Sequence, residues 1–443
     1  MTLYLWAISE VIPVGDYGTI EQYDLGQLKT DVMSDKLFGY VECDISVPEK
    51  LKEHFSEMCP IFKNIDIHGT KDIIGEHMAD YCEQNNIPCK KSRKLIGSMK
   101  GEKILLYTPL LKWYLEHGLE ITKFYKAITY TPKQCFKGIA DDISTARRAG
   151  DVDESQAIIA ETMKLIGNAL YGRTVMDKEK HTTTSFCGLD KISKRINDPH
   201  FKDLEELNDN RFEVLAGKHK IIMDTPIQIG CAVYQLAKLR MLQFYYDCLD
   251  KYVDRSDFQY VEMDTDSAYL AISASKLDDV IKPDMAEEYE KDKYNWFPDE
   301  TTKETKAYNK RTPGLFKVEF EGNAIYDLCS KLYFVEGVEK PLDPKKEEKK
   351  AKNAADPNYL EDDEEEKKDK YSCKGIQKKQ NEINKDRFHN VLFNDKKDMC
   401  SNKGFRVINN EMVTYIQQKK GLSYYYDKRV VLDDGVSTVP LDI

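Results

Sequence analysis

The sequence predicts an α+β fold assembled from several subdomains, and three observations carry that reading. Residues 133–172 read as a pair of helices, residues 258–272 as a β-hairpin with acids at its tip, and residues 338–371 as a charged, low-complexity break. At 443 residues the chain is also too long for one ordinary core.

Local pattern justifies each element in turn. Residues 38–48 alternate like a strand and stop at Pro48. A strand-like run from Lys103 to Tyr107 is followed by a helix from Leu110 to His117, ended by Gly118, and then by a second strand from Leu119 to Tyr130. In 133–172 the first helix runs to Ala149, where Gly150-Asp151-Val152-Asp153 breaks it. Asp153 suits the N-cap of a second arm, Glu154 to Tyr171, that ends at Gly172. Residues 185–222 are mixed and polar, with strand signals towards their end. Ile227 to Tyr252 is apolar at helical spacing throughout. Phe258–Met263 and Ala268–Ile272 read as strands joined through Asp264-Thr265-Asp266-Ser267. The charged break reads as a solvated linker ahead of a separate C-terminal segment.

Composition narrows the function classes. A net charge of −11 excludes a uniformly basic coat for nucleic acid but leaves room for a local basic cleft. The 27 tyrosines offer stacking surface with a polar tip. The 11 cysteines form no C-x-x-C pair, and Cys82 and Cys89 lack a histidine pair at zinc spacing, so they read as reduced thiols of an intracellular protein. The N-terminus has no signal-peptide pattern, and no apolar run approaches the roughly 20 residues of a membrane span.

Three constellations point to chemistry. On a strand, alternate residues share a face, so Asp264 and Asp266 are expected to be presented together, where a magnesium ion suits two close carboxylates. The plainer reading is an acidic turn. In the second helix of the pair, Lys164, Asn168 and Tyr171 fall at i, i+4 and i+7 and share one face. Lys164 can meet a triphosphate there and Tyr171 can stack on a base pair. A solvated polar stripe is the plainer alternative, and Ile158, Ile159, Met163 and Ile166 are expected to supply the buried apolar face. In Ser330-Lys331-Leu332-Tyr333-Phe334, a strand would put Lys331 and Tyr333 on one side, which suits a sugar-phosphate backbone.

The order and spacing of these segments resemble family B DNA polymerases. Asp264-Thr265-Asp266-Ser267 is similar to that family's Tyr-x-Asp-Thr-Asp-Ser motif, and Lys164 to Gly172 is similar to Lys-x-x-x-Asn-Ser-x-Tyr-Gly. Lys331-Leu332-Tyr333 is similar to the later Lys-x-Tyr motif, and Leu3-Tyr4 resembles the end of Asp-x-x-x-Leu-Tyr. The tail from Gly421 resembles the end of the protein-primed branch, found in viruses and in self-synthesising DNA transposons. The resemblance implies a right-hand fold. The palm would span 1–135 with an insertion at 46–95, the fingers 136–172, and the palm again 173–337, with a second insertion at 185–222 and the acidic hairpin at 258–272. A linker at 338–371 and a thumb at 372–443 would follow.

It also implies template-directed addition of deoxynucleotides to a 3′-hydroxyl by two-metal phosphoryl transfer, with two Mg2+ ions, or Mn2+. Asp266 would bind both metals and Asp264 would support the site. Lys164, Asn168, Tyr171 and Arg147 (or Arg148) would contact the nucleotide, Tyr4 would exclude a ribose 2′-hydroxyl, and Lys331 and Tyr333 would hold the primer. Partners would be primer-template DNA, deoxynucleoside triphosphates and a terminal protein primer, with the chain acting as a monomer away from membranes. Three positions depart from the pattern. Ala169 replaces Ser, and Glu262 stands where the motif has Tyr. The first motif's aspartate would precede Met1, as would the exonuclease, so an N-terminally truncated enzyme is expected. A catalytically impaired remnant that still binds DNA and nucleotide is the alternative.

Overall fold

The computed structural model describes residues 2–88, 90–338, 369–394, 398–408 and 411–442. Cys89 and nearly all of the expected linker lie outside them. Lys370 and Tyr371, expected at the end of that linker, instead belong to a strand, Lys370–Cys373, paired with Leu332–Gly337.

The fold is mixed α and β, centred on an antiparallel sheet ordered Ile12–Ile20, Glu120–Lys133, Gly39–Ser46 and Lys100–Tyr107. Tyr40, Val41, Cys43 and Ile45 of the inner strand are buried. The helix Thr108–Glu116 packs against this sheet with Leu110, Leu111, Trp113, Tyr114 and Leu115 buried, and Gly118, at φ +84°, follows its end.

A long helix, Ile227–Gln243, crosses the same core and is buried on most of its circumference. Its Gln235 serves the open edge of the sheet, where the side-chain amide donates to the Leu105 carbonyl (3.0 Å) and accepts the Tyr107 N–H (2.7 Å). Gly230 lets the helix approach the turn that follows the helical pair, since a Cβ there would lie 2.1 Å from Val175 Cγ1. The helix does not stay regular to Tyr252. It passes through a π-helical turn, Phe244–Leu249. Three consecutive aromatics enter the core at that point and cannot share one helical face. Phe244 stacks on Phe316 (3.7 Å), the Tyr245 hydroxyl donates to Glu57, and the Tyr246 hydroxyl donates to the Met58 carbonyl (2.6 Å).

The helical pair is Lys137–Val152 and Ala157–Gly172, so the first arm continues through Gly150 instead of breaking there. Asp153 accepts from the Ser155 N–H and caps the short 3-10 turn that leads into the second arm. The apolar face expected to be buried on that arm is largely open. Ile158 is 79% exposed, Ile159 and Ile166 are also exposed, and Gly167 is the buried position. Against the first arm the pair relies on small residues instead, with Gly150 facing Ala160 and Gly167 facing Ile143.

Residues 182–217 hold more strand than their polarity suggests. They form a three-stranded sheet, Thr182–Cys187, Arg211–Gly217 and Phe201–Asn208, with a helix Leu189–Ile196, on a small core of Cys187, Phe212 and Val214. A second large core joins segments far apart in sequence. Ile67, Ile74, Met78, Tyr81 and Ile96 pack with Phe334, Phe388, Leu422 and Tyr424. The tail closes on it, as Asp442 accepts from the Ser98 hydroxyl, the Met99 N–H (3.2 Å) and Lys63 (3.4 Å).

Candidate active site

The residues singled out by sequence are carried by four elements. The first is the N-terminal helix Leu3–Ser9, whose Leu3, Leu5, Ala7 and Ile8 are buried. That helix packs against both arms of the helical pair and against the long helix. Tyr4 is thereby stacked on Tyr171 of the second arm, with ring centroids 4.1 Å apart and an interplanar angle of 25°. Tyr234 of the long helix meets both rings edge-on, at 5.9 Å and 5.7 Å. Burial, the neighbouring tyrosines and the Asp266 carboxylate push the Tyr4 hydroxyl up to about 12. Tyr4, Tyr171 and Asp266 thus converge from three separate segments.

The acidic hairpin pairs Phe258–Asp264 with Ser267–Ile272. Its two-residue turn is Thr265–Asp266, with Thr265 at φ +59° and the Asp266 N–H donating to the Asp264 carbonyl (2.7 Å). Asp264 and Asp266 therefore do not share a strand face as expected, because the turn intervenes. Asp264 shares its face with Glu262, and both engage a second hairpin, Gly322–Cys329 with Leu332–Gly337.

Lys331 sits in the turn of that second hairpin at φ +69°, not on a strand beside Tyr333. Its backbone N–H donates to Glu262 Oε1 (2.8 Å) and its ammonium pairs with Asp264 Oδ1 (3.0 Å). Tyr333 is only 6% exposed and accepts a hydrogen bond from the Tyr269 hydroxyl (2.8 Å). Glu262, which stands where a tyrosine was expected, is 7% exposed and ties the two hairpins together.

Asp266 keeps a different environment. Burial, and the nearby carboxylates of Glu319 and Asp264, raise its carboxyl above the usual range. Among the described residues, the tip thus gathers Asp264, Asp266 and Glu319 beside Lys331, a set of carboxylates that suits a divalent cation.

On the helical pair, Lys164 is exposed and bonds Glu161 (2.9 Å), and Asn168 is exposed one turn further on. Lys164 to Tyr171 spans about 10 Å along the helix axis, a length that suits a triphosphate with its sugar. The structure separates the two arginines. Arg148 donates to the Tyr308 carbonyl (3.0 Å) and to Thr312 (3.2 Å) and stacks over the Tyr308 ring. Arg147 makes no hydrogen bond to a described residue, and burial, then the nearby Arg311, lowers its pKa.

The family described as DNA polymerase type B, organellar and viral, matches residues 6–245. That stretch is more than half of the chain and includes the helical pair with Lys164 and Tyr171. The chain belongs to this family. No curated protein and no solved structure matched it. By family it is a DNA-directed DNA polymerase, a nucleotidyltransferase whose partners are primer-template DNA and deoxynucleoside triphosphates and whose class uses divalent metal ions. The match ends before the acidic hairpin.

Sequence reasoning missed four contributors. Tyr234, Glu319 and Asp327 belong to no motif, and the position of Glu262 registered only as a departure. Asp327 lies beneath the tip, where burial first and Glu262 second raise its carboxyl to about 8. A carboxyl raised on folding binds its proton more tightly in the native state, so stability falls as pH rises from about 4 towards 8. Asp327→Asn, which copies the protonated form, is expected to flatten the urea-midpoint profile across that window. An unchanged profile would contradict a buried, protonated Asp327.

Proposed function

We propose that this chain extends a primer 3′-hydroxyl along a DNA template, as a protein-primed replicase of a virus or mobile element. The observation that carries the reading is the convergence of Tyr4, Tyr171 and Asp266 from three distant segments. The helical pair acts as fingers, the central sheet and acidic hairpin as palm, and segment 372–443 as thumb. The reading also sets the chain inside a cell, as a monomer, with a terminal protein as its primer.

Asp266, with Asp264 and Glu319 nearby, fits a divalent metal, because several carboxylates meet there and oxygen donors suit magnesium. When bound, two Mg2+ ions supply charge neutralisation and activation of the attacking hydroxyl. The chain's own residues position the reactants. Lys164 meets the triphosphate, Asn168 braces the helix face beside it, and Arg147 adds a second cation. Tyr171 packs on the nascent pair, and Tyr4, held by Tyr171 and Tyr234, walls off the sugar's 2′ side. Lys331 holds the Asp264 carboxylate, leaving Asp266 to face the substrate. Catalysis of this kind is mainly positioning and electrostatic stabilisation.

The ion pair between Lys331 and Asp264 also favours a second reading, a chain that binds DNA and nucleotide without turnover. Primer extension by the full chain with Mg2+ and an annealed primer-template decides between them. Templated extension by the first correct nucleotide is expected. Retained binding of DNA and nucleotide without extension would establish the impaired reading.

A further inference from the structure

The sheet-and-helix unit at 182–217, with the residues just after it, carries a side-chain cluster that the polymerase reading does not use. Asp198, His200 and His219 each offer one ligand atom, and these atoms all lie within 4.8 Å of one another. We propose that these three residues bind a divalent transition-metal ion, Zn2+ by preference, which fastens the two ends of the hairpin formed by Phe201–Asn208 and Arg211–Gly217.

The backbone delivers the ligands from two segments. Asp198 follows the helix Leu189–Ile196 and opens a turn in which its Oδ1 accepts the His200 N–H (2.8 Å) and its carbonyl accepts the Phe201 N–H (2.9 Å). The Gly217 N–H then donates to the His200 carbonyl (2.7 Å), two residues before His219. Strand pairing between Phe201 and Ala216 brings the same two ends together.

The three side chains meet through the two oxygens of one carboxylate, at long hydrogen-bonding distances. His200 Nδ1 lies 3.3 Å from Asp198 Oδ1, and His219 Nε2 lies 3.3 Å from Asp198 Oδ2. A charge-assisted N–H···O bond closes to about 2.7–2.9 Å. Two ligands on one tetrahedral zinc, each bonded at about 2.0–2.1 Å, sit about 3.3 Å apart. The imidazole centroids are 4.3 Å apart, with both rings turned onto one carboxylate. The His200 backbone N–H, 2.8 Å from Asp198 Oδ1, fixes the carboxylate towards the two rings.

Two imidazoles and a carboxylate suit zinc and its neighbours, whereas magnesium prefers oxygen. The His219 side chain is 68% exposed, which leaves a fourth position for water. Binding would close the loop from 198 to 219, a structural clip and not a second catalytic centre.

The test titrates the chelator-treated full chain with Co2+, followed by Zn2+ competition. One equivalent is expected to give d–d absorption without thiolate charge transfer, since the cluster contains no cysteine. His200→Ala/His219→Ala is expected to weaken binding by more than about tenfold. Because the His219 side chain is exposed, His219→Ala alone keeps the test readable if the double variant does not fold. Asp266→Ala is expected to retain the signal, which separates this site from the carboxylates of the polymerase centre. No stoichiometric binding, or equal affinity in His219→Ala and the parent chain, would overturn the proposal.

Discussion

Asp266→Ala is expected to lower templated nucleotide addition by at least about 10³-fold, because it removes a carboxylate from the point where transition-state charge is stabilised. Primer-template affinity is expected to stay within a few-fold, since Asp266 belongs to the turn of the hairpin and not to the basic residues that meet the backbone. Stability is expected to rise slightly in metal-free buffer. Burial, Glu319 and Asp264 already raise the Asp266 carboxyl, so ionised Asp266 disfavours the native state at neutral pH. The gain is present above the usual carboxylate range and disappears as pH falls below it. Single-turnover extension and thermal melting check the two halves separately. A rate loss accompanied by a lower melting temperature would mean that Asp266 is structural.

Tyr4→Ala carries the second large effect. Tyr4 presents its ring beside Tyr171 and near Asp266, the place where a sugar must lie if Lys164 meets the triphosphate. A ribose 2′-hydroxyl pressed against that ring costs about 1–3 kcal/mol as overpacking. Removing the ring is therefore expected to raise the ratio of ribonucleotide to deoxynucleotide incorporation by about 10- to 100-fold. Tyr4→Phe keeps the ring and is expected to keep the discrimination. Equal selectivity in Tyr4→Ala and the parent chain would remove Tyr4 from the sugar pocket. A loss confined to overall rate would show that the three-tyrosine cluster supports the fingers without sensing the sugar.

Much of the scaffold was legible in the sequence because it is written locally. The acidic hairpin, the helical pair and the strands around Gly39–Ser46 and Glu120–Lys133 each follow from a short repeat of apolar positions and a turn residue. What escaped depends on distant partners. The second large core joins Tyr81 to Tyr424, which no local pattern announces. Lys331 looked like a strand residue, yet it adopts a positive φ in a turn and docks on Glu262 and Asp264. The face of the second helix of the pair, Ala157–Gly172, looked buried from its isoleucines, but Leu3–Ser9 and the first arm cover only its Gly167 side. Tyr4, Lys164, Tyr171 and Asp266 could be singled out as candidates because their motifs have fixed spacing. Tyr234, Glu319 and the Asp198–His200–His219 cluster have no such spacing and emerge only once the chain is folded.

In the proposed enzyme, Asp266 holds the catalytic metal next to Tyr4 and Tyr171. Iron-directed cleavage is the sharpest test, with Fe2+ replacing Mg2+ on the full chain and hydrogen peroxide and ascorbate added, so that peroxide reduced at the ion yields hydroxyl radicals that cut the backbone beside it. Cuts are expected at 264–267 and around Tyr4, strengthened by a correct deoxynucleotide, suppressed by excess Mg2+ and absent in Asp266→Ala. Cuts confined to 198–219, or a pattern at 264–267 that survives Asp266→Ala, would contradict it.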